Sequence, residues 1–194
     1  EILEETGLHI TLGAYLGRVD YLLPSKKEKE VHYWAAEVDP GEAERAPFES
    51  NNEIFALEWL PLKKAQRKLT YEHDGDILDN FESLYDSGRA KTFPLILLRH
   101  GKAMPPENWD GPDHTRPLLH RGLNQARSIA QGILAYGPEV IVSSTAARCM
   151  ATVEPLLEAS GIELKTSKSL SQDAYESKGT KAHAAVEKRV NRKL

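Results

Sequence analysis

The sequence predicts a mixed α/β fold that is divided between two domains. Before residue 86, strand-like segments are joined by turns and followed by short helices, whereas after residue 94 short apolar segments alternate with amphipathic helices. The second pattern is typical of a parallel sheet covered by helices. Between the two regions, "DSGRAKTFP" (86–94) has the composition of a linker, so we place the domains at residues 1–88 and 89–194.

Composition excludes several classes of protein. The chain has 194 residues, of which 40% are hydrophobic and 28% charged, as in ordinary globular domains. A formal net charge of −4 argues against binding to a nucleic-acid polymer, and no apolar run is long enough to span a membrane. The single cysteine, Cys149, excludes an internal disulfide framework and suits a reducing compartment. We therefore expect a cytoplasmic protein.

In the first domain, the expected order is a helix, three strands and two further helices. The opening residues are helix formers, and Gly7 stands where a helix C-terminus favours glycine. Segments rich in β-branched, aromatic and apolar residues predict strands over 9–23, 31–39 and 54–62. A short helix is expected over 62–69, and Asp74 or Asp76 can cap a longer one.

In the second domain, two short apolar segments predict buried strands over 95–98 and 139–142. The segment between them, 122–137, has its apolar residues on one face and predicts an amphipathic helix. Another helix is expected from about 146 to 159, and a basic one from about 181. This alternation predicts a parallel sheet.

The first candidate site is the acidic start of the chain, "EILEETG". Glu1, Glu4 and Glu5 have the spacing that places residues on one helix face, where like charges cost a few tenths of a kcal/mol per pair. A hard divalent cation would neutralise them, because Mg²⁺ prefers carboxylates together with substrate phosphates. A solvated acidic helix face is the alternative that spacing alone leaves open.

The order of these residues resembles a known motif. "EILEETGL" matches the second half of the Nudix box, which runs Arg-Glu-apolar-x-Glu-Glu-x-Gly-apolar, and "VHYWAAEV" and "EWLPL" resemble later parts of Nudix domains. The resemblance implies the C-terminal part of an α/β/α Nudix fold, in which water attacks a diphosphate linked to another group. It also implies that Mg²⁺ (or Mn²⁺) is held by Glu1, Glu4 and Glu5, with Glu53 as a further ligand. One glutamate would be the base, and which one stays open.

The resemblance to the Nudix family is incomplete at its start. The family's leading glycine, an earlier glutamate and the arginine before Glu1 are not in this sequence, nor are the strands that precede the motif helix. We therefore expect these residues alone to be inactive as a Nudix enzyme, and the chain to be part of a longer protein.

The second candidate site is "LILLRHGKA" (95–103), in which a predicted strand delivers Arg99 and His100 at its C-terminal end. Ligands bind at that edge of open α/β sheets. Arginine binds phosphate in a bidentate manner, and a neutral histidine can act as a nucleophile. Arg148 follows the next predicted strand, in the first turn of a helix, and could converge with Arg99 on one phosphate. A structural role for His100 is the alternative.

The order of three blocks resembles the histidine phosphatase superfamily, and most closely its short bacterial phosphohistidine-phosphatase branch. The blocks are Arg-His-Gly after a strand, then Arg-Pro-Leu with Gly-x-x-Gln-Ala, and then Ser-Ser-x-x-x-Arg-Cys with a threonine three residues later. The resemblance implies part of a Rossmann-like three-layer fold, in which His100 becomes phosphohistidine and Arg99 and Arg148 hold the phosphoryl group. Asp173 is the candidate acid. The family's second histidine has no counterpart here, because His183 fits a structural or solvent-exposed position.

The combination of both regions resembles the actinobacterial MutT-type hydrolases, which implies hydrolysis of nucleoside polyphosphates and sanitation of the nucleotide pool. Oxidised guanine nucleotides and diadenosine polyphosphates are the expected substrates. Two alternatives stay open: a phosphomonoester or phosphohistidine phosphatase with an inert Nudix remnant, or a second domain that acts as a non-catalytic dimerisation module. A homodimer is accordingly a possible assembly.

Overall fold

The computed structural model describes residues 2–41, 48–50, 52 and 54–191. The chain separates into two compact units, Glu1–Phe93 and Pro94–Leu194. The mixed α/β class is confirmed, since each unit combines helices with a small sheet. No helix in the part of the chain that the structure describes combines the length and the apolar character needed to cross a membrane.

The first unit begins with a helix that a glycine ends. Helix α1 covers Ile2–Thr6, and Gly7 follows with a φ of 73°, a conformation that side chains disfavour. The Gly7 N–H donates to the Leu3 carbonyl at 2.9 Å. Strands β1 (Thr11–Leu22) and β2 (Glu28–Glu37) then form an antiparallel pair. The predicted helix and the first two predicted strands are therefore confirmed.

Further along the described part of this unit lie the helices α2 (Leu62–Lys68) and α3 (Glu72–Asp86). Helix α3 packs on β1 where the strand is irregular, since the register shifts next to Gly17, whose φ is 140°. A Cβ at Gly17 would lie 3.1 Å from the Ile77 side chain, and the Asn80 amide donates to the Leu16 carbonyl at 3.0 Å. The absence of a side chain at this bulge therefore lets the helix approach the strand.

Two predictions for the first unit are wrong. The segment 54–61 forms no strand, and Phe55 and Trp59 are 89% and 63% exposed. A strand requires a neighbouring strand for its hydrogen bonds, and neither of the described sheets includes this segment. The predicted aspartate cap is also wrong, because α3 begins at Glu72 and Tyr71 holds the N-cap position without a side-chain hydrogen bond.

The second unit alternates helices and short strands. Its elements are helix α4 (His120–Leu134), strand β3 (Ile141–Ser143), helix α5 (Ala147–Ser160), strand β4 (Leu164–Thr166), helix α6 (Gln172–Lys178) and helix α7 (Thr180–Val190). Strands β3 and β4 pair in parallel, so the predicted parallel arrangement is confirmed for this pair. The core lies between α4, α5 and the sheet and contains Ala130, Ile141, Val153 and Leu156. Burial of such aliphatic side chains contributes about 1.5–3 kcal/mol for each of the larger ones.

The predicted strand over 95–98 is wrong. Its four residues form no ladder with any described strand, and their side chains are between 39% and 75% exposed. Strand β4, which the sequence did not reveal, is the neighbour of β3 instead. Four apolar residues in a row predict burial, but they do not specify which strand provides the hydrogen-bonding partner.

Two glycines allow a close backbone contact in this unit. A Cβ at Gly101 would lie 2.7 Å from the Gly122 carbonyl oxygen, and a Cβ at Gly122 would lie 2.2 Å from the Lys102 carbonyl oxygen. The same oxygen accepts a hydrogen bond from the Leu119 N–H at 2.8 Å. The chain at 101–102 is therefore held directly against the first turn of α4.

We expect Gly122→Ala to destabilise the second unit by about 3 kcal/mol, because the new methyl group overlaps backbone atoms that cannot move independently. Gly132→Ala is the matched control on the same helix, since nothing lies within 4 Å of its added Cβ, and it should stabilise the helix by up to about 1 kcal/mol. Urea denaturation measures both effects. Equal unfolding free energies for the two variants would contradict the close contact.

Candidate active site

A hydrogen bond to the Gly101 carbonyl orients the ring of His100. His100 is half-buried, and its Nδ1 lies 2.7 Å from the carbonyl oxygen of Gly101. A carbonyl oxygen can only accept, so Nδ1 carries the proton in this contact. In the neutral ring, Nε2 then holds an available lone pair. This tautomer is the one that a histidine nucleophile acting through Nε2 requires.

His100 borders a cavity of about 730 Å³ in the second unit. Arg99 and His100 line it, together with residues of α4 that include Arg121 and Asn124. Apolar residues such as Ile129 also contribute to the lining. The cavity therefore combines a histidine and two cationic side chains with apolar residues, which suits a phosphate group attached to an organic group.

Thr152 joins this turn to helix α5. Its Oγ1 accepts a hydrogen bond from the Gly101 N–H at 3.0 Å and donates one to the Arg148 carbonyl at 2.6 Å. Thr152 is 3% exposed, so water does not replace these bonds. A single hydroxyl therefore connects the residue after His100 to the helix turn that carries Arg148.

A cluster of two arginines and one aspartate lies beside that helix turn. The Arg148 Nη1 donates to the Asp113 carbonyl at 2.8 Å, and its Nη2 donates to the Asp113 carboxylate at 2.9 Å. The Arg116 Nε donates to the other carboxylate oxygen at 2.7 Å, and the Arg116 Nη1 donates to the Met104 carbonyl. Both arginines are more than 90% buried. Asp113 thus neutralises part of a buried positive charge.

The two arginines alter the acidity of the aspartate. The hydrogen bond from Arg116 is the main cause that holds the pKa of Asp113 below its usual range; burial opposes it, and the hydrogen bond from Arg148 and the charges of both arginines lower the pKa further. Asp113 is therefore charged at neutral pH. Because its pKa in the folded state is lowered, its contribution to stability is complete above the unfolded pKa and is lost as the pH falls through the folded value.

Comparison with known protein families identifies the family to which the chain belongs. Residues 95–193 match the family model of the histidine phosphatase superfamily (branch 1). The chain belongs to the histidine phosphatase superfamily. Residues 1–81 match the model of the NUDIX domain. The resemblance of each region to its family, predicted from the sequence, is therefore confirmed.

One relative is similar to almost the whole chain. It is described as an 8-oxo-(d)GTP phosphatase of Mycolicibacterium smegmatis and is 33% identical over 190 residues. The alignment covers 98% of this chain and 55% of the relative. The chain therefore spans about half the length of the relative that it matches.

Two solved structures are similar to parts of this chain. One is that of a candidate phosphohistidine phosphatase, SixA, from Agrobacterium tumefaciens, with 34% identity, a TM-score of 0.34, and coverage of 39% of this chain and 50% of that one. The other is a SixA candidate from Nakamurella multipartitia, with 34% identity, a TM-score of 0.28, and coverage of 37% and 38%. The family assignment depends on the sequence matches.

The predicted residues of the histidine phosphatase domain lie in three places. Arg99 and His100 border the cavity. Arg148 is buried against Asp113, and is linked to the His100 turn through Thr152. Asp173 is exposed at the start of α6, where Ser171 caps the helix and the main neighbours are α7 and the turn Lys168–Leu170. Joint action of these residues stays a prediction.

Asp113 was missed by the sequence analysis, and Thr152 entered it only as the last member of the third sequence block, without a role of its own. Thr152 lies one helical turn after Arg148, so the i, i+4 spacing could have indicated that both belong to one site. Asp113 lies three residues before Arg116, within the 3-10 turn Asp113–Thr115. Its contact with Arg148 has no local signal, because it joins positions 35 residues apart.

The carboxylates of the NUDIX region are described only in part. Glu4 is exposed and Glu5 is half-buried on α1, while Glu1 and Glu53 lie outside the described residues. Within the residues that the structure describes, no group of three His, Cys, Asp or Glu side chains is arranged to hold a metal. Glu4 and Glu5 are chemically suited to Mg²⁺, since both offer hard oxygen donors from adjacent positions of one helix.

We expect Thr152→Val to destabilise the histidine phosphatase domain by about 1–3 kcal/mol, because the Gly101 N–H would lose its acceptor in a buried setting while the side-chain shape is preserved. Thr145→Val, at an exposed position just before the same helix, should change stability by less than about 0.5 kcal/mol. Urea denaturation followed by circular dichroism compares the two. Equal effects would exclude the proposed link between the turn and α5.

Proposed function

We propose that the protein carrying this chain is a hydrolase of nucleoside polyphosphates, with oxidised guanine nucleotides as substrates and diadenosine polyphosphates as a further class. The supporting observation is the relative described as an 8-oxo-(d)GTP phosphatase, which is similar over 98% of this chain. The matches to the NUDIX and histidine phosphatase families agree with this proposal. Within this proposal, we assign the metal-dependent step to the region 1–88 and phosphoryl transfer to the region 89–194.

In the NUDIX region, we assign the cation site to the carboxylates of Glu1, Glu4, Glu5 and Glu53. Mg²⁺ (or Mn²⁺), when bound, would neutralise phosphate oxygens and acidify the attacking water. Glu4 and Glu5 share the short helix α1, which Gly7 ends. The helix therefore keeps their backbone positions fixed relative to each other, which is what a site for a hard cation requires.

In the histidine phosphatase domain, we assign phosphoryl transfer to His100. Its Nε2 forms a bond to phosphorus while the bond from phosphorus to the leaving oxygen breaks, and water later cleaves the Nε2–phosphorus bond to release phosphate. The Nδ1 proton stays on the ring and continues to donate to Gly101. Arg99 and Arg148 would hold the phosphoryl oxygens. Asp173 as the proton donor to the leaving group depends on the sequence resemblance alone.

A second candidate function is a phosphatase whose NUDIX region is inert. The orientation of His100 favours it, because the nitrogen that must attack is the one without the Gly101 contact. In that case all turnover would depend on the second domain. A dimerisation role for that domain, a homodimeric assembly and a cytoplasmic location stay predictions from the sequence.

We expect the double substitution Glu4→Gln and Glu5→Gln, made in the full-length protein, to reduce Mg²⁺-dependent hydrolysis of 8-oxo-dGTP by at least about 100-fold, since amides do not replace charged ligands. Glu72→Gln, an exposed glutamate on α3, is the control and should leave turnover unchanged. Product release measured over a Mg²⁺ titration tests this. Undiminished Mg²⁺-dependent turnover in the double variant would exclude the assigned cation site.

We expect His100→Ala to abolish metal-free release of phosphate from an aryl phosphate while the Mg²⁺-dependent step persists. His183→Ala is the matched control, because His183 is exposed and its described contact is with the ring of Tyr175. Phosphate release in the presence of a chelator measures the effect. Retained metal-free activity in His100→Ala would show that phosphoryl transfer does not pass through this histidine.

A further inference from the structure

The three nitrogens of the Arg148 guanidinium are not used equally. Nη1 and Nη2 donate to the carbonyl and the carboxylate of Asp113, whereas Nε is buried without a hydrogen-bond partner among the described residues. Arg148 as a whole is 4% exposed. Asp113 therefore binds the two terminal nitrogens of the guanidinium and leaves Nε without an acceptor among the described residues.

A buried donor on a charged group is costly when it has no acceptor, and most such groups in folded proteins have one. The acceptor of Nε is not provided by the neighbouring described side chains or backbone. A ligand oxygen would supply it. Because the guanidinium is cationic, an anionic oxygen forms the stronger bond.

The net charge of the cluster formed by Asp113, Arg116 and Arg148 also favours an anionic ligand. Arg116 and Arg148 bring two positive charges into a site where both side chains are at most 10% exposed, and Asp113 brings one negative charge. The cluster therefore retains a net charge of about +1 that its own members do not balance. A phosphoryl group would complete the balance.

Asp113 is itself held firmly in place. Arg116 donates to the carboxylate oxygen that Arg148 does not use, and it also donates to the Met104 carbonyl. Asp113 begins the 3-10 turn Asp113–Thr115, which the Arg116 N–H closes onto the Asp113 carbonyl at 3.1 Å. The aspartate is therefore a fixed support, and the orientation of Arg148 follows from it.

We propose that Asp113 is a positioning residue, which binds the two terminal nitrogens of Arg148 so that the Arg148 Nε–H is the donor presented to a substrate phosphoryl oxygen. This inference depends on the proposed phosphatase function of the second domain. Asp113 does not contact the substrate in this arrangement. Arg116 serves as its anchor.

The direct test follows the Nε–H resonances of the arginines by NMR in the full chain while inorganic phosphate is added. We expect the Arg148 Nε–H signal, assigned by its loss in Arg148→Lys, to shift on phosphate binding. The Arg116 Nε–H signal should stay unchanged, because Asp113 already accepts that bond. Phosphate binding without a shift of the Arg148 signal would overturn the proposal. This measurement uses the unmodified protein and so does not depend on whether a variant folds.

The second test replaces Asp113 by asparagine. We expect Asp113→Asn to raise the KM for an aryl phosphate and the Kd for inorganic phosphate by about tenfold, since one charge-assisted contact to Arg148 is weakened. Asp110→Asn, an exposed aspartate of the same loop, is the control and should change neither. In an Arg148→Lys background, Asp113→Asn should have no further effect on phosphate binding. An additive effect in that background would mean that Asp113 acts on general stability, and would overturn the positioning role.

The outcomes separate the inference from the function on which it depends. Metal-free hydrolysis that needs His100 but is indifferent to Asp113→Asn overturns the inference and leaves the phosphatase function intact. Hydrolysis that is indifferent to His100→Ala overturns the function, while the phosphate-induced shift of Arg148 still decides the inference. Absence of phosphate binding to the wild-type chain overturns both.

Discussion

The candidate site depends on the close contact of two backbone segments at Gly101 and Gly122. This contact holds the turn after His100 against α4, and the Lys102 carbonyl and N–H then bond to Leu119 and to the Gln125 side chain. Thr152 connects the same turn to α5. Since Gly101, which follows His100, is held from two helices, the orientation of His100 depends on the packing of both helices and not on one loop alone.

Local periodicity explains which parts of the fold could be predicted. Helices α4 and α5 satisfy their hydrogen bonds within themselves, so an apolar face every three or four residues was sufficient to find them. The segments 54–62 and 95–98 are also rich in apolar residues. A strand, however, depends on hydrogen bonds to a partner elsewhere in the chain, so apolar content alone did not predict them correctly. Strand β4 was missed for the converse reason, because three residues with no marked pattern pair with β3.

In the candidate site, too, residues within a local motif could be predicted, whereas contacts between distant residues could not. Arg99 and His100 could be predicted, since adjacent residues after an apolar segment form a recognisable motif. Asp113 could not be predicted from spacing, because its partner Arg148 is distant in sequence and an isolated aspartate in a loop has many possible roles. Thr152 bonds to Gly101 across 51 residues, and only the three-dimensional arrangement reveals that contact. Motifs therefore identified the reactive groups, while the groups that support them required the structure.

The hydrogen bond between the His100 ring and the Gly101 carbonyl has a consequence for regiochemistry. A histidine can carry a phosphoryl group on either ring nitrogen, and the two products are distinct isomers. Here the carbonyl oxygen lies 2.7 Å from Nδ1, which leaves no space for phosphorus at that nitrogen. A phosphoryl group accepted by His100 would therefore form the tele isomer, so one backbone oxygen would decide which of the two isomers arises.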